Sequence, residues 1–224
     1  MNRICGAEIN SIDSMLRSNL IAPDAALFFL CSDTDDGRNI AKVLCEYYGK
    51  RAQSYQIDGL QDERPREFRT KGLRNLAKQM CRILLDHRYA RCGINATGGY
   101  KAQIAVATLI GQAVSVPVYY KHERFDEVIE FPPMPVALDF EYWMSVSGIL
   151  FDLAKTVDLV RAADYAETLD GDERIEALIE RVEVDRQQYV ELSPVGQIFL
   201  ETFRNRFESE RDRVLPPAVP GNEK

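Results

Sequence analysis

The sequence predicts an α/β fold in which a parallel sheet carries helices on both faces, followed by a small α+β module. Two observations support this prediction. Short apolar runs alternate with helical segments, beginning with the strand-like run Ala25–Cys31 and the helix Asn39–Tyr48, as in a buried parallel sheet. At Pro132-Pro133-Met134-Pro135 this alternation stops and the hydrophobic period changes. The first part is therefore predicted to be a Rossmann-like sheet, and the second part a winged-helix-like module.

The elements of the first part are each predicted from an apolar run or from helical spacing. Gly49 is a typical C-cap and ends the first helix. The elements that follow are a strand at Gln53–Ile57, a charged loop at Asp58–Thr70, a helix at Gly72–Tyr89, the start of a strand at Arg91–Ile94, a helix at Ala102–Ala113, and strands at Val116–Tyr120 and Val128–Phe131.

The second part combines helices with a strand-like stretch. Its elements are a helix at Tyr142–Arg161, a short helix at Arg174–Arg181, a strand-like segment at Val182–Leu192 with a turn at Gln187-Gln188, and a last helix at Gln197–Arg211. Ser193 is a suitable N-cap for that last helix, and Pro194 suits its first turn. The predicted boundaries are 1–135 for a ligand-binding domain, 136–213 for the winged-helix-like module and 214–224 for a tail or linker.

Composition argues against several classes of protein. No apolar run is long enough to span a bilayer, and the N-terminus lacks the pattern of a signal peptide. The five cysteines are odd in number and form no C-x-x-C pair, as expected of a reduced, cytoplasmic protein. Only two histidines are present, which excludes a multi-histidine zinc site. We therefore expect neither a metal nor a cofactor.

The charge is unevenly distributed along the chain. Residues 1–150 carry 18 acidic and 18 basic side chains, so the net charge of −7 comes entirely from residues 151–224. Binding to duplex nucleic acid needs a basic footprint, which the chain as a whole lacks. Duplex DNA is therefore not an expected ligand, and any anion must be bound locally.

The most informative motif is Asn95-Ala96-Thr97-Gly98-Gly99-Tyr100-Lys101, which follows a predicted strand and precedes a predicted helix. At such a turn, Gly98 and Gly99 allow backbone N–H groups to approach an anion at the helix N-terminus. Thr97 adds a hydroxyl group, and Lys101 adds a cation one turn into the helix. The motif therefore favours a phosphate-containing ligand, such as a nucleotide or an oligonucleotide.

A second polar loop follows the first predicted strand. It comprises Ser32, Asp33 and Thr34, with Gly37 shortly after them. Ligands of parallel sheets bind where strands end at the carboxyl edge, so this loop and the turn around Gly98 are expected to line one site.

These segments together resemble a known family. The Asn-x-Thr-Gly-Gly-x-Lys turn, the Ser32-Asp33-Thr34 loop and the segment Phe68–Leu73 look like a CARF domain, the CRISPR-associated Rossmann-fold sensor of type III systems. Val190–Gly196 resembles the winged-helix segment that follows the sensor in many of these proteins. The resemblance covers roughly residues 5 to 200.

The resemblance implies a homodimer that binds a cyclic oligoadenylate across its two-fold axis and relays the signal to an effector domain or protein. Cyclic tetra-adenylate is the first expectation for the ligand. By position, Thr97, Gly98, Gly99 and Lys101 would hold phosphate or ribose, and Ser32, Asp33 and Thr34 would meet base or ribose edges. Asn95 would brace the turn.

Two departures from the family keep other functions open. We expect the family's usual first strand and its loop to be missing before the helix near Ile9-Asn10-Ser11, and we expect no effector domain within residues 1–224. One alternative is a metal-independent ring nuclease, in which Lys101 would stabilise the transition state of RNA phosphodiester cleavage. A second alternative is a winged-helix transcription regulator with a nucleotide-sensing domain, for which arginines cluster on the last helix: Arg204, Arg206, Arg211 and Arg213.

Overall fold

The computed structural model describes residues 6–135, 137–156 and 159–214, with side chains described as far as residue 204. The elements of its first part are α1 (Gly6–Arg17), β1 (Leu27–Cys31), α2 (Asp35–Tyr48), β2 (Ala52–Gln56), α3 (Pro65–Glu67), α4 (Leu73–Asp86), β3 (Ile94–Asn95), α5 (Lys101–Ala113), β4 (Val118–Tyr120) and β5 (Ile129–Phe131). Those of its second part are α6 (Phe140–Lys155), β6 (Val160–Arg161), α7 (Ala166–Gly171), β7 (Ile179–Val184), β8 (Gln187–Leu192) and α8 (Pro194–Val214).

The described strands form three sheets. β1 pairs in parallel with β2. β3 pairs in parallel with β4, which pairs antiparallel with β5. In the second part, β6, β8 and β7 form an antiparallel sheet. The predicted mixed α/β character is therefore confirmed, but the parallel strands of the first part lie in two separate sheets. Among the described residues, β1 and β3 each have a strand partner on one side only.

Among the described residues, two hydrophobic clusters form the core. The first gathers residues from Ile57 to Val118, together with Ile198 of α8. The second gathers residues from Tyr142 to Phe203 and includes the only tryptophan, Trp143. Because α8 supplies side chains to both clusters, this helix fastens the second part onto α4 and α5.

A π-helical turn at Phe68–Gly72 joins α3 to α4. Gly72 packs directly on the backbone of the loop at 58–62, since a Cβ built on it would lie 2.5 Å from the carbonyl oxygen of Gly59. Two residues further on, Arg74 reaches the second part. Its Nη1 donates to the carboxylate of Glu191 and to the carbonyl oxygen of Leu192, each at 3.3 Å.

Several predicted boundaries in the first part need correction. The helix predicted at Gly72–Tyr89 is α4, which begins at Leu73 and ends at Asp86. The predicted charged loop before it contains the short helix α3 at Pro65–Glu67, because proline suits the first position of a helix. α2 begins at Asp35 rather than at Asn39, since the Thr34 hydroxyl accepts the Gly37 N–H at 3.0 Å as an N-cap. α5 begins at Lys101, so this lysine is the first helical residue and not one turn into the helix.

The second part contains three further differences. The helix predicted to reach Arg161 ends at Lys155, and Val160–Arg161 forms strand β6. Arg181 lies in strand β7, because the predicted helix around it ends as a 3₁₀ turn at Ala177. The hairpin turn is Asp185-Arg186, both with positive φ, rather than Gln187-Gln188. Positive φ at both central residues matches the twist of a tight hairpin.

Two predicted caps are confirmed. Gly49 ends α2 with a φ of 62°. The Ser193 hydroxyl accepts the Gly196 N–H at 3.0 Å, and α8 begins at Pro194. The predicted tail beyond residue 214 lies outside the described residues, as do the side chains of Arg206, Arg211 and Arg213. In the described part of the chain, none of the helices has the length and apolar character needed to cross a membrane.

Candidate functional site

The turn between β3 and α5 is held by Asn95 and Thr97. The Asn95 Oδ1 accepts the Thr97 hydroxyl at 2.7 Å and the Thr97 N–H at 3.3 Å. The same hydroxyl accepts the Lys121 N–H at 3.0 Å, which ties the turn to the residue after β4. The Asn95 Nδ2 donates to Ser11 on α1 at 2.7 Å. Both side chains are therefore engaged in positioning the backbone of the turn.

The two glycines bring backbone N–H groups to the surface. Gly99 has a φ of 98°, which a side chain would strain. The next N–H, that of Tyr100, is bound by the Gln103 Oε1 at 2.8 Å. Among the described hydrogen bonds, the N–H groups of Gly98 and Gly99 donate to no other group. They are therefore available to an anion.

Lys101 adds a cation at this point. It is exposed and is the first residue of α5, where the helix dipole is positive. Within the described residues its ammonium group makes no ion pair, so it is available to bind an anion.

Glu8 brings a carboxylate to the same turn, which the sequence did not predict. A Cβ built on Gly98 would collide with the Glu8 Oε1 and lie 3.1 Å from its carboxyl carbon. Glu8 lies on α1, 90 residues away in sequence, so no local pattern connects it to Gly98. The turn therefore presents a negative charge beside its donors and its lysine.

The loop after β1 is held mainly by its own hydroxyl groups. The Ser32 Oγ and the Thr34 Oγ1 share a hydrogen bond of 2.9 Å, and Thr34 also caps α2. Gly37 is required here, because a Cβ at this position would lie 2.7 Å from the Ser32 carbonyl oxygen. Thr34 consequently has less spare hydrogen-bonding capacity than Ser32.

Asp33 is bound to the loop at 58–62. Its N–H donates to the Leu60 carbonyl oxygen at 2.9 Å, and its Oδ2 accepts the Gly59 N–H at 3.2 Å. The Gln56 amide donates to its other carboxylate oxygen. The Gly59 N–H and the Gln56 amide lower the pKa of the Asp33 carboxyl group. Asp33 therefore carries its negative charge in a fixed position.

The same loop connects the two halves of the site. The Asp62 carboxylate lies near the Tyr100 hydroxyl, and burial followed by the charge of this carboxylate raises the pKa of Tyr100. The Tyr100 ring packs edge-on against Phe68, with 5.3 Å between ring centroids. The predicted loop and the predicted turn are thus joined through loop 58–62, which the sequence did not assign to the site.

In the part of the chain that the structure describes, histidine, cysteine and acidic side chains form no group of three or more that could hold a metal ion. The carboxylates nearest to the site have other neighbours: Asp35 pairs with Arg38 at 2.5 Å, and Asp33 is held as described above.

Comparison with known proteins identifies the family. A family model described as CRISPR-associated protein (Cas_APE2256) matches residues 3–134, which is more than half of the chain. The chain therefore belongs to the Cas_APE2256 family of CRISPR-associated proteins. The matched residues include the turn around Gly98, the loop around Asp33 and all of α1 to β5. No curated protein matches the chain.

Proposed function

We propose that this CRISPR-associated protein is a CARF-type sensor of a type III system. It binds a cyclic oligoadenylate, in the first instance cyclic tetra-adenylate, across a homodimer and relays the signal to an effector domain or protein. The observation that carries the proposal is the exposed Gly98-Gly99 turn, with its available N–H groups and with Lys101 at the N-terminus of α5.

The chemistry of this turn suits a phosphodiester. Backbone N–H groups at a helix N-terminus bind anions, and a lysine adds a mobile positive charge. The chain carries no overall positive charge, so it favours a small anion that is bound at one point over a long nucleic acid. A ring with repeated phosphates can meet two copies of one pocket, which suits a symmetric dimer.

The strand-end loop would supply contacts to ribose or base. Ser32 makes a single described hydrogen bond, so its hydroxyl can still bind a ligand. Asp33 keeps a fixed carboxylate, which can accept hydrogen bonds from an adenine amino group or from a ribose hydroxyl. Because Thr34 caps α2, we assign it the role of holding the loop in place rather than that of contacting the ligand.

We further propose how the strands of the two parts are arranged. We interpret β1–β2 and β3–β4–β5 as two halves of a Rossmann-like sheet, in which a further strand would pair with β1 on one side and β3 on the other. The antiparallel sheet β6–β8–β7, followed by α8, supports a winged-helix-like second module.

The first experiment is a titration with radiolabelled cyclic tri-, tetra- and hexa-adenylate, without metal, followed by electrophoresis. We expect an intact ring to shift with the protein. Replacing Lys101 with alanine should weaken its binding about 10–100-fold, since hydrogen bonds to charged groups contribute about 1.5–3 kcal/mol. Lys155→Ala removes an equal charge at the end of α6 and should change the affinity less than twofold.

The remaining outcomes of this titration are equally informative. Detection of linear products would show that the protein is a ring nuclease rather than a sensor that leaves the ring intact. A folded protein that binds none of the three rings would overturn the proposal.

Replacing Glu8 with glutamine is expected to strengthen binding of the ring about three- to tenfold. Its carboxylate lies against Gly98, where it repels a bound phosphate, and a pair of like charges several ångströms apart near a surface costs about 1 kcal/mol. Isothermal titration at two salt concentrations would measure this, and the gain should shrink at high salt. Glu141→Gln, in the first turn of α6, is the control. An unchanged or weaker affinity for Glu8→Gln would contradict the expected repulsion.

A further inference from the structure

The loop that follows β4, residues 121–126, is joined directly to the Gly98-Gly99 turn. β4 runs parallel to β3, so both strands end at the same edge of their sheet, where ligands of parallel sheets bind. The Lys121 N–H, at the start of the loop, donates to the Thr97 hydroxyl at 3.0 Å. The loop therefore begins beside the backbone N–H groups that are available to an anion.

Internal hydrogen bonds fix the shape of this loop. The Phe125 N–H donates to the His122 carbonyl oxygen at 3.0 Å, which closes a β-turn. The Lys121 ammonium group donates to the carbonyl oxygens of Phe125 and Asp126 at 2.8 and 2.9 Å. The Arg124 N–H donates to the His122 Nδ1 at 3.2 Å. Phe125 takes part in these bonds through its backbone alone, so truncation of its side chain leaves them in place.

His122 and Phe125 place two aromatic rings on the loop, which we call the β4 platform. Their ring centroids are 4.9 Å apart, and the Phe125 side chain is 49% exposed. A single exposed phenylalanine is ordinary, but this one lies on a fixed loop beside the donors of an anion site. Unpaired nucleobases are bound by stacking on phenylalanine and histidine rings in this way. Because the His122 Nδ1 accepts a hydrogen bond, its neutral ring carries the proton on Nε2, which can donate to a ligand.

The charges of the loop favour an uncharged ring over a second phosphate. Residues 121–127 carry two basic and three acidic side chains. One of the two cations, the Lys121 ammonium group, is directed to carbonyl oxygens of the loop itself. Stacking does not need a positive surface, whereas the binding of a further phosphate does. The β4 platform is therefore suited to the base of a ligand whose phosphate lies at the neighbouring turn.

We infer that the β4 platform is a base-binding subsite, in which the purine ring of a nucleotide stacks on Phe125 while its phosphate is bound at the Gly98-Gly99 turn. The inference rests on the proposed function, because it divides the contacts of the ring between two loops. A ring of four adenylates gives each protomer of a dimer two bases. The β4 platform would bind one of them by its face, and the loop with Ser32 and Asp33 would meet the edge of the other.

Two small probes that differ only in the base test the subsite. Isothermal titration of the full chain should show 5′-AMP bound at least fivefold more tightly than ribose 5-phosphate, because only AMP can stack. Phe125→Ala should weaken the binding of AMP alone and reduce this preference to less than twofold, and Phe125→Tyr should retain it. Lys101→Ala should weaken both probes by the same factor, since both carry the same phosphate. The matched control is Phe131→Ala, a residue that is 44% exposed and pairs with Val118 at the opposite end of β4.

A spectroscopic signal reports the stacking itself. The fluorescence of 2-aminopurine riboside 5′-monophosphate falls when its base stacks on an aromatic ring. We expect the wild type and Phe125→Tyr to quench it, and Phe125→Ala to leave it unquenched at a probe concentration that saturates the variant. For cyclic tetra-adenylate, Phe125→Ala should weaken binding at least tenfold. Circular dichroism would show that each variant is folded.

Several results would overturn the subsite, and they can be told apart from a failure of the proposed function. A wild type that binds AMP no better than ribose 5-phosphate, or that binds neither, contradicts it. Equal weakening of both probes by Phe125→Ala would also contradict it, because the phosphate contacts would then be the ones disturbed. If Phe125→Ala leaves the affinity for cyclic tetra-adenylate unchanged, only the subsite fails. If AMP binding depends on Phe125 but none of the rings binds, only the sensor function fails.

Discussion

Replacing Gly196 with alanine is expected to lower the free energy of unfolding by about 3 kcal/mol, the upper end for overpacking a filled site. A Cβ on Gly196 would collide with the carbonyl oxygen of Leu178 and lie 2.9 Å from the Leu178 carbonyl carbon and from Leu192 Cδ1. The Leu178 carbonyl oxygen accepts the Ser193 N–H at 3.0 Å, so moving it would also disturb the cap of α8. Because two of these obstacles are backbone atoms, a change of rotamer cannot relieve the clash.

Urea unfolding followed by the fluorescence of the buried Trp143 would measure this loss. The matched control is Gly148→Ala, in the middle of α6. A Cβ on Gly148 would meet no atom within 4 Å, and alanine is preferred in helices, so this variant should be as stable as the wild type or up to about 1 kcal/mol more stable. Equal losses for the two variants would show that the contact with Leu178 is not the cause.

A large effect on binding is also expected for Gly99→Ala, which should weaken the affinity for the ring at least tenfold. With a φ of 98°, an alanine at this position is strained by about 1–3 kcal/mol. Its Cβ would also displace the Gln103 carboxamide, whose oxygen binds the Tyr100 N–H. Relief of the strain would rotate the turn and remove its N–H groups from the anion.

Titration of cyclic tetra-adenylate at a temperature where the variant is fully folded would measure the affinity. Gly171→Ala, at the end of α7 with open space around it, serves as the control and should bind like the wild type. Retention of full affinity by Gly99→Ala would show that the conformation of this turn does not matter for binding.

Local patterns were sufficient to predict much of the fold. Ser193-Pro194 marks the start of a helix and Gly49 marks the end of one, each through only one or two residues. Both caps are found at the predicted positions. The hairpin turn was misplaced, because Asp185-Arg186 lacks the glycine or asparagine that marks such turns and adopts positive φ all the same. The short helix α3 at Pro65–Glu67 was missed, because a charged segment was interpreted as a loop.

The site was predictable only in part, for a physical reason. The Gly98-Gly99 turn is a local motif and can be recognised without a structure. Glu8 and Asp62 reach that turn from distant segments of the chain, through contacts that no spacing rule encodes. The sequence also could not show that the Thr97 hydroxyl is occupied by Asn95 and Lys121.

The packing of Gly72 on Gly59 determines how the two parts of the molecule can move. Backbone lies against backbone there, so a displacement of the loop at 58–62 cannot be absorbed by a change of rotamer. That loop holds Asp33 and reaches Tyr100, while Arg74, two residues past the contact, is bound to β8. We therefore expect the loop, the start of α4 and the hairpin of the second part to move together as one rigid unit. The noncovalent contact between Gly72 and Gly59 would couple them, rather than the proline-rich connection along the chain.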